Sequence, residues 1–134
     1  MAHDNVEAKI YEAVPVFLVG DIAATMQWYS AKLGFAARAV PASPPHDFCI
    51  LTRDEVTIFL QQLDGYRKPD LYDKREGGVW NLYLQTKDVH QLFERLSRLE
   101  DVTILEPLGH QDYGQTEFVV RDPNGYALVF AQPD

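Results

Sequence analysis

The sequence is poor in cysteine, with only Cys49 among its 134 residues. No intrachain disulfide can form, and this favours a reducing compartment. Phe48 and Ile50 flank the cysteine, and no base lies near it in sequence. Cys49 is therefore expected to be a small buried hydrophobic residue rather than a nucleophile.

Basic residues are also scarce, with 12 Lys and Arg against 20 Asp and Glu, for a formal net charge of -8. This balance argues against nucleic acid as a partner, because phosphate binding requires a basic face. The acidity is compatible with a cationic ligand, although many proteins are acidic for solubility alone.

Long apolar runs are missing as well. No run could span a bilayer, and the first residues, MAHDNVEAKI, lack the apolar core of a signal peptide. We therefore expect a soluble, cytoplasmic protein that does not associate with membranes. The length suits a single domain, residues 1–134, or two half-domains that share a core.

The segments that are present follow an order that occurs twice. In the first copy, residues 13–62, the apolar, β-branched segment 13–19 predicts a buried strand. Asp21 is placed to cap a helix, and Gly34 supplies its C-terminal stop. Three further strands are predicted at residues 35–40, 47–52 and 55–62.

The second copy, residues 79–132, begins with a predicted strand at 79–86. Asp88 is a second helix cap, and Gln91, three residues on, completes a capping box. Three more strands are predicted at residues 102–105, 114–120 and 126–132. The turn sequence RDPNG joins the last two into a hairpin.

The two copies run in phase, which indicates an internal duplication. Asp88 follows Asp21 after 67 residues, and Arg121 follows Arg53 after 68. We therefore predict an α+β fold of two tandem βαβββ modules. One module cannot bury its sheet face alone, so the two sheets are expected to enclose a shared space suited to a ligand or metal.

A polar segment, LDGYRKPDLYDKREGG at residues 63–78, connects the two modules. Its composition is typical of a solvated linker. Its length and its two tyrosines leave a lid over a pocket as the alternative.

Three segments, AVPVFLVGDIAATMQWYSAKLGF, VTIFLQ and YGQTEFVVRDPNGYALVF, resemble the vicinal oxygen chelate superfamily of glyoxalases, extradiol dioxygenases, fosfomycin-resistance transferases and bleomycin-resistance proteins. The resemblance covers about residues 13–132. The AVPV strand, a tryptophan-containing fifth strand and RDPNGY are most similar to the bleomycin-resistance proteins. The resemblance implies the glyoxalase/bleomycin-resistance-like fold and a homodimer.

Enzymes of this superfamily hold a divalent metal with His, Gln or Glu from four strands. The resemblance places Val14, Phe59, Asn81 and Val129 at these positions. Three of these side chains have no lone pair to donate, and Asn81 offers only an amide oxygen. A shift of one residue in either direction recovers no carboxylate in the fourth or the eighth strand. We therefore expect neither a metal nor another cofactor.

The four histidines provide no clear metal site either. None has a partner at the spacing of metal ligands, which leaves only a site assembled in space. They are His3, His46, His90 and His110.

Glu117 is the only carboxylate inside the seventh predicted strand. It either faces outward or is a buried acid that contacts a cationic ligand or acts as a base. Trp80 and Trp28 could each be simple core, or one could line a groove and stack on a flat ring.

Side chains that alternate along a strand share one face, and this alternation groups a set of candidate ligand-binding residues. Trp80 is included as the tryptophan that could line a groove. The amides, hydroxyls and rings of this set suit hydrogen bonding and stacking better than acid–base chemistry, so no catalytic residue is assigned. The set comprises Thr57, Phe59, Gln61, Trp80, Asn81, Tyr83, Gln85 and Glu117.

These observations favour binding over catalysis. The leading hypothesis is a metal-free protein that sequesters a cationic or aromatic small molecule in a groove, as in antibiotic resistance. One alternative is a glyoxalase- or dioxygenase-like enzyme with a displaced metal site, or with Glu117 as a metal-free acid catalyst. The other is a binding protein for an ordinary metabolite. No motif identifies the ligand.

Overall fold

The computed structural model describes residues 7–134, which form two four-stranded sheets and two main helices. Each sheet and its helix come from one copy of the repeated sequence. The predicted α+β fold of two tandem βαβββ modules is therefore confirmed. His3 lies outside the described residues.

The first module forms a sheet in the order β1-β4-β3-β2, in which β1 runs parallel to β4. Its elements are β1 (Val16–Val19), α1 (Ile22–Leu33), β2 (Ala36–Val40), β3 (Phe48–Arg53) and β4 (Val56–Gln62).

The second module repeats this arrangement in the order β5-β8-β7-β6, again with its first strand parallel to its last. Its elements are β5 (Leu82–Gln85), α2 (Val89–Ser97), β6 (Thr103–Gln111), β7 (Gln115–Arg121) and β8 (Ala127–Pro133). A short 3-10 helix (Tyr72–Lys74) interrupts the connection between the modules. Neither α1 nor α2 has the length and hydrophobicity needed to cross a bilayer.

Strand β5 begins at Leu82, three residues later than the predicted start at residue 79. The reason lies in Asn81, whose amide Oδ1 accepts a hydrogen bond from the Ala127 backbone N–H at 2.8 Å. The Asn81 backbone N–H in turn donates to the Ala127 carbonyl at 2.9 Å. The Asn81 side chain thus takes the Ala127 N–H that a backbone carbonyl would bind in a regular ladder. Regular pairing between β5 and β8 therefore begins only at Leu82.

The two modules bury their apolar faces against each other in one hydrophobic core. Helices α1 and α2 and the helix-facing sides of both sheets supply its residues. In each strand every second side chain points into this core, as Phe17 and Val19 do in β1 and Leu128 and Phe130 do in β8. Helices and core side chains therefore occupy the space that was predicted to lie open between the two sheets. Cys49 lies in this core and is fully buried, as expected.

The N-termini of both helices are held by a glutamine at the end of the module's last strand. Gln62 Oε1 accepts from the Ile22 N–H at 2.7 Å, and Gln132 Oε1 accepts from the Val89 N–H at 3.0 Å. Asp21 also caps α1 through the Ala24 N–H at 3.1 Å.

The predicted capping box at Asp88 and Gln91 is wrong, because the Asp88 side chain makes no capping hydrogen bond. Gln132 already takes the first free N–H of α2, at Val89. The Asp88 backbone N–H instead donates to Thr86 Oγ1 at 3.2 Å.

The turn between β7 and β8 joins the two modules through a buried carboxylate. The Tyr29 hydroxyl on α1 donates to Asp122 Oδ2 at 2.7 Å. Asp122 Oδ1 accepts from the backbone N–H groups of Asn124 and Tyr126 at 2.8 and 2.9 Å. Tyr29 is fully buried and Asp122 nearly so. Burial is the main reason that the pKa of Tyr29 lies well above its ordinary value, and the Asp122 charge adds to it.

Tyr29→Phe should lower the free energy of unfolding by about 1–3 kcal/mol, because a buried carboxylate oxygen loses its strongest donor. Tyr11→Phe is the matched control, since Tyr11 is 95% exposed and should change stability by less than about 0.5 kcal/mol. Urea denaturation of both variants measures the difference. Equal stability of the two variants would contradict this role for Tyr29.

Candidate functional site

Each sheet has a second face that points away from the shared core. We call these the first and second open faces. Strand pairing assigns their residues, because cross-strand partners share a face. The first open face comprises Val16, Leu18, Ala36, Arg38, Val40, Phe48, Ile50, Thr52, Thr57, Phe59 and Gln61. The second open face includes Tyr83, Gln85, Glu106, Glu117, Val119, Arg121, Ala127, Val129 and Ala131.

The first open face is mainly apolar. Phe59 in β4 is half-buried and lies edge-on to Phe48 in β3, with ring centroids 5.1 Å apart. Its neighbour in β1, Val16, is 50% exposed. Burial of this surface would be favourable by roughly 25 cal/mol per Å² of apolar area. The face is therefore suited to a further apolar partner.

The second open face carries a buried acid in an aromatic setting. Glu117 in β7 is only 4% exposed, which decides between its two predicted orientations in favour of the buried one. The Tyr83 hydroxyl in β5 donates to Glu117 Oε1 at 2.8 Å. The Trp80 ring lies 5.5 Å from the Tyr83 ring and is 38% exposed. An acid and two rings are thus side by side at the surface.

The pKa values of two tyrosines near Glu117 are raised above the ordinary value. Burial, followed by the hydrogen bond to Glu117 and its negative charge, raises the pKa of Tyr83 to about 12. Burial and then Glu117 also raise the pKa of Tyr113, in the turn that precedes β7. Both phenols therefore remain neutral hydrogen-bond donors over the physiological pH range.

One residue of the connection between the modules, Tyr72, packs on the second open face. Tyr72 packs against the cluster that includes Val119 and Val129. Its ring lies directly over Gly78, where a Cβ atom would come within 2.5 Å of Tyr72 ring carbons. The φ of +90° at Gly78 is a second reason for glycine there. The Tyr72 side chain thus covers part of this face.

The four positions that hold metal in superfamily enzymes do not fit a metal in this chain. Val129 is fully buried and apolar, and Phe59 is aromatic. Asn81 already uses its amide oxygen for the Ala127 N–H. Strand pairing sets Val16, two residues beyond Val14, beside Phe59, and Tyr83 beside Val129. Neither of these neighbours, Val16 in β1 and Tyr83 in β5, supplies a carboxylate or an imidazole, so we derive no chemistry through a metal.

The histidines in the described part of the chain do not supply the missing metal ligands either. Within residues 7–134, no three His, Cys, Asp or Glu side chains lie together as metal ligands would. His110 Nδ1 lies 2.8 Å from the Asp134 carboxylate, and His46 Nδ1 lies 2.8 Å from the Pro41 carbonyl.

The structure distributes the predicted ligand-binding residues over three places. Thr57, Phe59 and Gln61 lie on the first open face, whereas Trp80, Tyr83 and Glu117 lie on or beside the second. Asn81 has the structural role described above. Gln85 pairs with Ala131 and so lies on the second open face as well, and it also borders a cleft between the modules.

Sequence reasoning missed Tyr72 and Tyr113. Tyr72 could be suspected from the tyrosines of the connecting segment, but its position depends on Gly78, with which it packs. Tyr113 lies in a hairpin turn, and no period along the chain shows where a turn directs its side chain.

Comparison with known proteins identifies this architecture of paired βαβββ modules. A sequence model of the Glyoxalase/Bleomycin resistance protein/Dioxygenase superfamily matches residues 13–130. The chain therefore belongs to this superfamily. A search of curated protein sequences found no significant match.

Solved structures share the fold over nearly their whole length. A bleomycin-binding protein from bleomycin-producing Streptomyces verticillus, complexed with copper(II)-bleomycin, is 21% identical with a TM-score of 0.68, covering 95% of this chain and 99% of its own. TioX from Micromonospora sp. ML1 is 18% identical (TM-score 0.69; 92% and 97% covered). A glyoxalase-related enzyme from Clostridium phytofermentans is 13% identical (TM-score 0.72; 96% and 98% covered). At these identities the likeness shows the fold alone.

Glu117→Gln should lower the pKa of Tyr83 from about 12 towards the ordinary 10, without reaching it, because burial remains. The folded state holds the Tyr83 proton more tightly than the unfolded state does. Its contribution to stability is therefore complete below pH 10 and is lost as the pH rises through about 12.

Titration of tyrosinate absorbance in the two proteins measures this shift. Tyr83→Phe identifies the Tyr83 transition, and Glu100→Gln, at an exposed position, is the control. An unchanged Tyr83 transition in Glu117→Gln would show that the carboxylate does not act on this phenol.

Proposed function

We propose that the protein binds a cationic, aromatic small molecule without a metal and sequesters it. Its groove includes the second open face. The observation that supports this most directly is Glu117, an acid with 4% exposure beside Tyr83 and Trp80.

The setting of Glu117 favours a positive ligand. Its hydrogen-bond donor Tyr83 is neutral, and within residues 7–134 no basic side chain forms an ion pair with it. An acid removed from water gains most from a partner that brings a charge. The surrounding rings favour a flat cation, because cations lie well over aromatic faces. The net charge of -8 would attract such a ligand from a distance.

Sequestration requires no catalytic group, which agrees with the misfit between this chain and a metal. A protein that protects a cell from an antibiotic by binding it needs only affinity and a groove. The Streptomyces verticillus protein of the same fold is complexed with copper(II)-bleomycin, so bleomycin is a reasonable first probe. The cytoplasm, a reducing compartment, suits a chain with one buried cysteine.

We further propose that the protein is a homodimer whose groove takes walls from both chains. The two open faces belong to separate sheets on opposite sides of one core, so a single chain leaves them apart. The first open face is mainly apolar and Val16 at its edge is half-exposed, as expected for a surface that another chain covers. Phe59 of one chain would then complete the groove beside Glu117 of the other.

Metal-free bleomycin should quench the fluorescence of Trp80, with binding that weakens as salt rises, because part of the attraction is electrostatic. Glu117→Gln should weaken binding by roughly tenfold and flatten its salt dependence. Phe59→Ala should remove a contact worth about 1 kcal/mol. Glu100→Gln is the charge-matched control, and treatment of the protein with a chelator should leave affinity unchanged.

Two results would contradict this function. If bleomycin changes neither fluorescence, melting temperature nor heat signal while a neutral metabolite binds, the protein is a metabolite-binding member of the superfamily. Elemental analysis that finds about one zinc, nickel, manganese or iron per chain, lost together with an activity on chelation, would replace sequestration with metal-dependent catalysis.

Sedimentation should show a dimer at micromolar concentration. Val16→Lys should shift it towards monomer, because a charge would be buried in an apolar interface. Glu100→Lys, at an exposed position of the second module, is the control. A wild-type monomer at this concentration would contradict the shared groove.

A further inference from the structure

The two modules meet at two equivalent joints, where a hairpin turn of one module contacts the first strand and helix of the other. One joint is filled by Tyr126, which follows the β7–β8 turn. Its ring stacks on Phe17 in β1, with centroids 4.1 Å apart and planes 5° apart. Its hydroxyl donates to the Leu18 carbonyl at 2.7 Å. At this joint a tyrosine side chain thus fills the space between the modules.

The other joint contains an open cleft of about 500 Å³ between the β3–β4 turn and the β5–α2 region. Its apolar walls come from both modules, and its rim is polar. The walls are Phe35, Val56, Leu84, Leu92 and Phe130, and the rim is Arg53, Asp54, Glu55, Gln85 and Thr86.

Strand pairing shows which residues correspond at the two joints. Phe17 lies opposite Leu60 in the first sheet, and Leu84 lies opposite Phe130 in the second. Phe17 therefore corresponds to Leu84, and Leu60 corresponds to Phe130.

The residue four positions before Leu60 is Val56, and the residue four positions before Phe130 is Tyr126. A valine thus stands where the other joint has a tyrosine. The cleft therefore includes the space that the Tyr126 ring fills at the other joint.

The hydrogen-bond acceptor of the filled joint also has a counterpart in the cleft. Leu18 corresponds to Gln85, and both β1 and β5 are edge strands. The Thr86 N–H donates to the Ala131 carbonyl of β8 at 2.8 Å. In a trans peptide the preceding carbonyl points the opposite way, so the Gln85 carbonyl points out from the sheet edge. No side chain within residues 7–134 donates a hydrogen bond to it.

We propose that this cleft binds a neutral phenolic small molecule, with its ring against Leu84 and Val56 and its hydroxyl donating to the Gln85 carbonyl. The ligand would occupy the place that Tyr126 fills at the other joint. Arg53 on the rim is paired with Asp54 at 3.4 Å and donates to the Leu33 carbonyl at 2.8 Å, which favours a neutral ligand over an anion. The cleft volume exceeds that of one ring, so substituted phenols fit. The inference is independent of the proposed function, because its ring-binding walls, Val56, Leu84 and Phe130, lie on the core-facing sides of the sheets and not on the open faces.

The test uses p-cresol, which is the tyrosine side chain as a free molecule, and 4-methylanisole, which cannot donate a hydrogen bond. Methyl NMR of the wild-type protein should show p-cresol shifting Val56, Leu84 and Leu92, with a dissociation constant on the order of 1 mM. The anisole should bind at least about fivefold more weakly, because the Gln85 carbonyl loses its donor.

Val56→Tyr would supply the missing ring from the chain itself and should weaken p-cresol binding at least about tenfold. Glu100→Tyr introduces the same side chain at an exposed site outside the cleft and should leave binding unchanged.

Shifts confined to Val16, Val119 and Val129 would place p-cresol on the open faces and overturn the proposal. So would equal affinity for p-cresol and the anisole, or no methyl shifts at all. If Val56→Tyr does not fold, the wild-type methyl map and the anisole comparison still decide the question.

Discussion

The buried carboxylate of Asp122 is the constraint on which the two-module fold depends most. It orders its own hairpin turn through the backbone of Asn124 and Tyr126, and it accepts the Tyr29 hydroxyl from the other module. The Asp122 carboxylate thus both shapes its own turn and connects the two modules. Once the turn is fixed, Tyr126 reaches Phe17 and the Leu18 carbonyl, and the two sheets close over a common core. The two open faces are then directed outward, which leaves them available to the proposed ligand and to the proposed second chain.

Much of the fold follows from the sequence because strand and helix periods are local properties. The repeated order of elements, the cap at Asp21 and the stop at Gly34 all appear in the structure. The boundaries at β5 and the cap of α2 could not be predicted in the same way. Asn81 and Gln132 act there through partners 46 and 43 residues away, and no local pattern reports such contacts.

The candidate site was predictable only in part, for a related reason. Alternation along strands assigns Phe59, Tyr83 and Glu117 to faces, but it does not show which faces oppose each other. The helices occupy the space between the sheets, so the residues expected in one cavity lie on two surfaces. Duplication also conceals a difference between the joints. The pair Val56 and Tyr126 differs by one ring, and only strand pairing reveals that the two residues occupy equivalent positions.

Asp122 makes the stability of the native state depend on pH in a direction that is unusual for a carboxylate. Burial raises the pKa of Asp122 above 3.8, and its hydrogen bonds only partly oppose this effect. Relative to the unfolded chain, the native state therefore favours the protonated carboxyl. The contribution of this group to stability is complete below pH 3.8 and declines as the pH rises through its folded-state pKa. At this one group, acidification therefore stabilises the native state relative to the unfolded chain, which is opposite to the effect of acid on a carboxylate held in a salt bridge.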